Sequence, residues 1–253
     1  MSKPKVAFFD FACCEGCQLQ VANMGEGLLD VLSLVDVVEF REVMSEKYPG
    51  QLDVAIIEGS ITTPHDVLKI KKIRERSKIL VAYGSCATIG GINGMKNNFP
   101  LEDVKKYVYG LDSKYFPTEP TKPVHQVVKV DYFVNGCPIY IPEFVKVLKA
   151  VLAGLPYAVP DYAVCVECKL NENVCMYQKG VTCLGPITKA GCNSWCINNG
   201  NICYGCRGEV SNPAENGAKD VLAKFKIPID WIMNKMNMYN KPRENDKIEQ
   251  KKH

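Results

Sequence analysis

The sequence predicts an α/β protein: a doubly wound parallel sheet followed by a small, irregular, cysteine-rich domain. Three observations predict it. Short apolar runs alternate with helical patterns along the first part of the chain, and that alternation builds βαβ units. The runs are continuous rather than alternating, as in strands covered on both faces. Finally, eight of the thirteen cysteines fall between Cys165 and Cys206. That stretch has too few aliphatic residues to fold by apolar burial alone, so bound inorganic material must supply the missing cohesion.

Taken in order, Lys3 to Asp10 reads as a first strand, rich in Val and Phe. Leu19, Val21, Met24, Leu28, Leu29 and Leu32 recur at helical spacing and predict one helix. Val35 to Phe40 and Leu52 to Ile57 are the second and third strands. Pro64 opens an amphipathic helix carrying Val67, Leu68, Ile70 and Ile73. Lys78 to Tyr83 is a fourth strand, and Gln126 to Val134 a later one. Lys114 to Pro123 holds three prolines and predicts an extended surface loop. Pro142 to Leu152 is helical by pattern, with Gly154 as its stop. The chain divides into a sheet domain over 1–155, a cysteine-rich domain over 156–210 and a C-terminal segment over 211–253. Leu155 to Pro160 is the linker. Asp220 to Met238 has positions for one or two helices, and Asn240 to His253 is a charged tail.

The net charge of +3 argues for neither nucleic acid nor an acidic membrane surface. No run approaches transmembrane length, so no direct membrane insertion is expected. The start, MSKPKVAFFDFACC, lacks a secretory pattern, and the expectation is a cytoplasmic protein. There, clustered cysteines bind metal or do redox chemistry more often than they form disulfides.

Ligands of such sheets gather outside the carboxyl ends of the strands. Cys14 and Cys17 follow the first strand, Cys86 the fourth and Cys137 the last. They make four thiolates once one of the adjacent pair Cys13 and Cys14 is set aside. Gly16, Gly84 and Gly136 allow the backbone to approach a bulky group there. The eight cysteines of the second domain are the ligand count for two four-cysteine iron–sulfur clusters. Their near-symmetric spacing leaves Cys183 and Cys192 exchangeable between the two sets. Sets of four cysteines also suit structural zinc.

Several motifs together resemble the small subunit of nickel–iron hydrogenases. They are Cys14-Glu15-Gly16-Cys17, Glu58-Gly59-Ser60, Gly84-Ser85-Cys86-Ala87, Gly136-Cys137-Pro138, Cys183-Leu184-Gly185-Pro186 and Cys203-Tyr204-Gly205-Cys206. The chain resembles most the short cytosolic forms of sulfhydrogenases and of NAD(P)-linked, F420-linked or viologen-linked hydrogenases. The resemblance implies a flavodoxin-like sheet and three [4Fe-4S] clusters as cofactors. The proximal one would use Cys14, Cys17, Cys86 and Cys137. The distal one would use Cys165, Cys168, Cys175 and Cys183, and the medial one Cys192, Cys196, Cys203 and Cys206. Cysteine stands where membrane-bound relatives have a distal His (here Cys165), and Cys196 adds a medial thiolate, which favours low potentials. The implied role is to relay electrons for H2 oxidation or proton reduction. The partners would be a large subunit with the nickel–iron site and a diaphorase or other flavin- or iron–sulfur-containing subunit. The acceptor would be NAD(P), ferredoxin or F420. A rival is the related cluster-bearing subunit of respiratory complex I, which lacks hydrogenase activity and uses adjacent cysteines, here Cys13 and Cys14 with Cys17 spare.

Other residues carry weaker signals. Cys13 reads as a buried or neighbouring thiol. Glu15 reads as an acid at a helix start. Glu58 is either a hydrogen-bond acceptor for loop N–H groups or a contact to partner or cluster. Trp195 reads as a shield against water, His65 and His125 as ordinary surface residues, and Arg207 as a docking or solvated residue.

Overall fold

The computed structural model describes residues 3–212, 224–225 and 235–239. They form two compact units, divided between Pro160 and Asp161.

The first unit opens with β1 (Lys5–Asp10), followed by α1 (Gly16–Ala22) and α2 (Glu26–Leu34). The single helix expected here is broken, because Gly25 takes φ 61° and ψ −131°, a conformation that glycine adopts without steric cost. Then come β2 (Asp36–Phe40), β3 (Leu52–Glu58), α3 (Pro64–Glu75), β4 (Ser77–Tyr83) and α4 (Gly84–Ile89). Thr63 starts α3 with a reciprocal capping box to Asp66, and Pro64 sits in its first turn, where no N–H is needed. A 3-10 turn (Ile92–Asn98), α5 (Leu101–Tyr109) and a second 3-10 turn (Gly110–Tyr115) follow. The expected extended loop thus begins with helical turns. None of their residues is buried, so they lack the core-facing stripe from which periodicity is read. The unit ends with β5 (Tyr132–Val134) and α6 (Ile141–Leu152).

All four strand pairings are parallel, in the order β2-β1-β3-β4-β5. That is the flavodoxin-like doubly wound order. Along β1, Val6 and Phe8 face a core built with α1, α2 and α6, through Val21, Val31, Phe144 and Val147. Ala7 and Phe9 face the opposite core, with Ile70 and Ile73 of α3 and Ala87 of α4. Both faces are covered, which is why the strands are apolar without alternation.

The last strand is shorter than the sequence suggests. It has three residues, and Val124–Gln126 is a 3-10 turn. The Asp131 carboxylate explains this. It accepts the Leu80 N–H at 2.9 Å and pairs with Arg74 at 2.7 Å, so a side chain occupies the position where the ladder would continue. The segment after α6 still belongs to this unit: Leu155 O accepts from the Tyr132 hydroxyl at 2.9 Å, and the Tyr157 hydroxyl donates to Glu143 at 2.8 Å.

The second unit is irregular, as expected. It contains α7 (Val164–Leu170), 3-10 turns at Met176–Lys179 and Gly185–Ile187, and α8 (Trp195–Asn198). Isolated antiparallel bridges join Ala163 to Lys189 and Thr188 to Glu209. Its core holds Val164, Met176, Tyr177, Ile197 and Ile202, and three cysteines complete it. The expected helices over Asp220 to Met238 and the charged tail lie outside the described residues, except that 224–225 and 235–239 are helical. Among the described residues no helix is long and apolar enough to cross a membrane.

Candidate metal centres

The carboxyl ends of β1, β4 and β5 each carry a cysteine motif. The ends of β4 and β5 are tied by the Ser85 N–H, which donates to Gly136 O at 2.7 Å. The ends of β1 and β3 are tied by Phe11 N–H to Glu58 O at 2.9 Å and by the Ala12–Ser60 bridge. The thiol of Cys86 interacts electrostatically with those of Cys137 and Cys14, and that of Cys17 with Cys137. Four residues spread over more than half of the sheet domain therefore meet at one edge. Cys14 and Cys137 are exposed, whereas Cys17 is buried.

Glycine makes the close approach possible. Gly84 has φ 81°, and a Cβ there would lie 2.5 Å from Cys17 Sγ. A Cβ on Gly91 would lie 2.8 Å from Cys86 Sγ, and Gly16 borders Cys14 Sγ. Gly136 serves the turn instead, since its Cβ would meet Pro138 O at 2.7 Å.

Glu58 holds the first thiol motif in place. Fully buried, its carboxylate accepts the N–H groups of Cys17 at 3.1 Å and Gln18 at 3.0 Å. Those N–H groups open α1 and have no partner within the helix. The acceptor reading of Glu58 is therefore the observed one. Burial raises its pKa, and the N–H groups oppose the rise. Glu15 stands at the start of α1 with φ 60°, its carboxylate 3.2 Å from Arg41 rather than on a helix N–H.

Three thiols here, Cys13, Cys17 and Cys86, are held in protonating surroundings. Burial pushes Cys86 up to about 12 and Cys13 up to about 12, Glu58 adding to the second; Cys17 rises for the same reasons. Metal ligation there would release protons from the thiols. Cys13 is half-buried and lies within electrostatic range of Cys86.

In the second unit, Cys165 interacts with Cys183, Cys168 and Cys175. Burial pushes its thiol up to about 12. Gly185 lies between two of these sulfurs: a Cβ there would be 3.3 Å from Cys165 Sγ and 3.5 Å from Cys183 Sγ. The Cys203 N–H donates to Cys183 Sγ at 3.3 Å. Cys192 interacts with Cys196, and Cys203 with Cys183 and Cys206. Cys183 thus neighbours Cys165, Cys168 and Cys175 and also Cys203, while Cys192 neighbours Cys196. Among the described residues no three Cys, His, Asp or Glu side chains close on a point that one metal ion would fill.

Two expectations are corrected. Trp195 is 59% exposed, so it does not shield a buried centre. Arg207 is neither solvated nor at a docking surface: it is 1% exposed, and its Nε donates to Lys189 O at 3.1 Å and Ala190 O at 2.8 Å. His65 and His125 are exposed, as read. Sequence reasoning missed Glu167. Between Cys165 and Cys168 it looks like a spacer, yet its carboxylate accepts the N–H groups of Gly191 at 2.7 Å and Ser194 at 3.0 Å.

Comparison with known proteins agrees with this architecture. Residues 14–151 match the family described as NADH ubiquinone oxidoreductase, 20 Kd subunit. The chain is 34% identical to Sulfhydrogenase 2 subunit delta of Pyrococcus furiosus, over 93% of this chain and 98% of that one. It is 32% identical to a vhu subunit of the F420-non-reducing hydrogenase of Methanocaldococcus jannaschii, over 94% of this chain and 93% of that one. Among solved structures, a chain of an NAD+-reducing [NiFe]-hydrogenase in the H2-reduced state superposes with TM-score 0.56 at 27% identity, over 62% of this chain and 96% of that one. The chain therefore belongs to the NADH ubiquinone oxidoreductase 20 Kd subunit family and, within it, to the hydrogenase subunits, as part of an oxidoreductase complex.

Proposed function

We propose that this chain is the electron-transfer small subunit of a nickel–iron hydrogenase, relaying electrons through three [4Fe-4S] clusters between a large subunit's nickel–iron site and a diaphorase or other redox partner. The observation that carries the proposal is the gathering of cysteines in groups of four at two places in the fold, with four more left beside the second. Cys14, Cys17, Cys86 and Cys137 gather at the sheet edge. Cys165, Cys168, Cys175 and Cys183 gather around Gly185. Cys192, Cys196, Cys203 and Cys206 remain for the third cluster, linked as Cys192 with Cys196 and Cys203 with Cys206.

Bound clusters would supply one-electron carriers. The chain's own residues do the rest. Glu58 fixes α1 and so the direction of Cys17. Gly84 and Gly16 let the backbone close on sulfur. The Cys203 N–H is aimed at Cys183 Sγ, a contact that favours the anionic sulfur. The exposure of Cys14 and Cys137 supports a surface position for the first group, where a large subunit could cover it.

The test is an iron and acid-labile sulfide assay on the anaerobically purified complex, followed by hydrogen-dependent dye reduction. About twelve irons per chain are expected, four in each of three cubanes. A colourless, zinc-bearing preparation would refute the cluster reading. An iron-replete complex inert towards hydrogen would favour the respiratory type of subunit, in which Cys13 replaces Cys17 as ligand.

A further inference from the structure

The environment of Cys192 is more specific than a ligand position requires. Two charged side chains meet it from different parts of the chain. Arg207 comes from the segment after Cys206 and is the bulkiest fully buried side chain among the described residues. Its Nε bonds to the Lys189 and Ala190 carbonyls, just ahead of Cys192. Glu167 comes from α7, which carries Cys165 and Cys168. Its two oxygens hold the Gly191 and Ser194 N–H groups on either side of Cys192, and one oxygen lies 4.0 Å from Cys192 Sγ.

Neutral side chains could clamp this loop equally well. Asn and Gln accept N–H groups, and a buried Gln could reach the carbonyls without the large desolvation cost of a guanidinium. Arg keeps its charge at any physiological pH, so burial cannot neutralise it. In a medium of low polarity such a charge acts strongly on neighbours and escapes screening by salt. Arg207 and Glu167 carry opposite charges beside the Cys192 loop, so one favours and the other disfavours negative charge placed there.

We propose that Arg207 and Glu167 are positioning charges that set the reduction potential of the cluster held by Cys192, Cys196, Cys203 and Cys206, Arg207 raising it and Glu167 lowering it. This rests on the cluster reading above. Reduction adds one negative charge to a group already made anionic by four thiolates. A fixed cation beside it favours the reduced form, and a fixed anion favours the oxidised form.

The experiment is an anaerobic redox titration followed by EPR on the purified complex, with iron determined on the same samples. Wild type is compared with Arg207→Gln, Arg207→Lys and Glu167→Gln, and the relevant signal is identified by its loss in Cys196→Ser. Arg207→Gln should shift that midpoint downward, Arg207→Lys should leave it near the wild-type value, and Glu167→Gln should shift it upward. The signal of the sheet-edge cluster should not move in any of them. An iron-replete Arg207→Gln with an unmoved potential overturns the proposal. So does an equal downward shift in Arg207→Lys, which would show donor geometry rather than charge at work. If Arg207→Gln fails to load iron, Glu167→Gln decides, and the lack of an upward shift overturns the proposal. Wild-type iron far below about twelve per chain would sink the cluster reading, and this inference with it. Full wild-type iron with static potentials sinks the charge inference alone.

Discussion

Replacing Gly84 by Ala should uncouple the first candidate cluster site from the fold around it. Gly84 sits at the carboxyl end of β4 with φ 81°, and a left-handed conformation costs an L residue about 1–2 kcal/mol. The new methyl would stand 2.5 Å from Cys17 Sγ, where contact normally begins at about 3.5–4.0 Å. The sulfur must therefore retreat by about 1 Å, and it is buried, with Glu58 holding its backbone N–H. Strain and displacement together put the destabilisation at about 2–4 kcal/mol, in the range of overpacked cores. For a unit of this size that lowers the melting temperature by roughly 4–16 °C. The larger effect is on the metal. With one of four thiolates displaced, iron should fall from about twelve to about eight per chain, one cubane being lost. Gly110→Ala separates the two causes, because Gly110 has φ 57° with nothing within 4 Å of the added Cβ. It should cost stability through strain and keep all its iron. Thermal melts and iron determination on the purified complexes measure both quantities. A Gly84→Ala complex with full iron and wild-type melting, or a Gly110→Ala complex equally depleted of iron, refutes the reasoning.

Three further outcomes are expected. Cys13→Ser should keep about twelve irons per chain and Cys17→Ser about eight; the reverse result would place the adjacent pair Cys13 and Cys14 on the cluster. The Asp53 pKa is lowered first by its hydrogen bond from Lys78 and then by the Lys5 N–H. Its stabilising contribution is present above the unfolded carboxylate value and is lost as pH falls through the lower, folded value. Asp53→Asn should thus cost up to about 1 kcal/mol at neutral pH and progressively less in acid; urea unfolding showing a constant difference across that range would contradict this. Trp195→Ala should change stability by less than about 0.5 kcal/mol and leave the rate of iron loss in air unchanged, since the ring is exposed; faster bleaching would restore the shielding role.

Legibility varied with how local the cause was. The strands β1 to β4 and the helix at Pro64 were readable, because their apolar runs, their spacing and the proline itself lie within one segment. The span of β5 was overestimated, because its limit comes from Asp131 reaching the Leu80 N–H, an encounter between segments about fifty residues apart. α5 went unassigned because it buries none of its residues. Arg207 was misread because charge predicts exposure on average, and only the carbonyls of Lys189 and Ala190 make its burial tolerable. Glu167 gave no signal, since the residues it holds lie more than twenty positions away.

By itself the sequence determined the alternation of strands and helices, the number of thiols and the glycines beside them, all properties of neighbouring residues. The tertiary structure supplied the strand order that carries distant thiols into one neighbourhood. Parallel pairing in the order β2-β1-β3-β4-β5 lays the carboxyl ends of β1, β4 and β5 along one edge, and so brings Cys14, Cys17, Cys86 and Cys137 together. The physical reason is that strand order is set by burying both faces of the sheet, a condition met by the whole domain and by no segment within it.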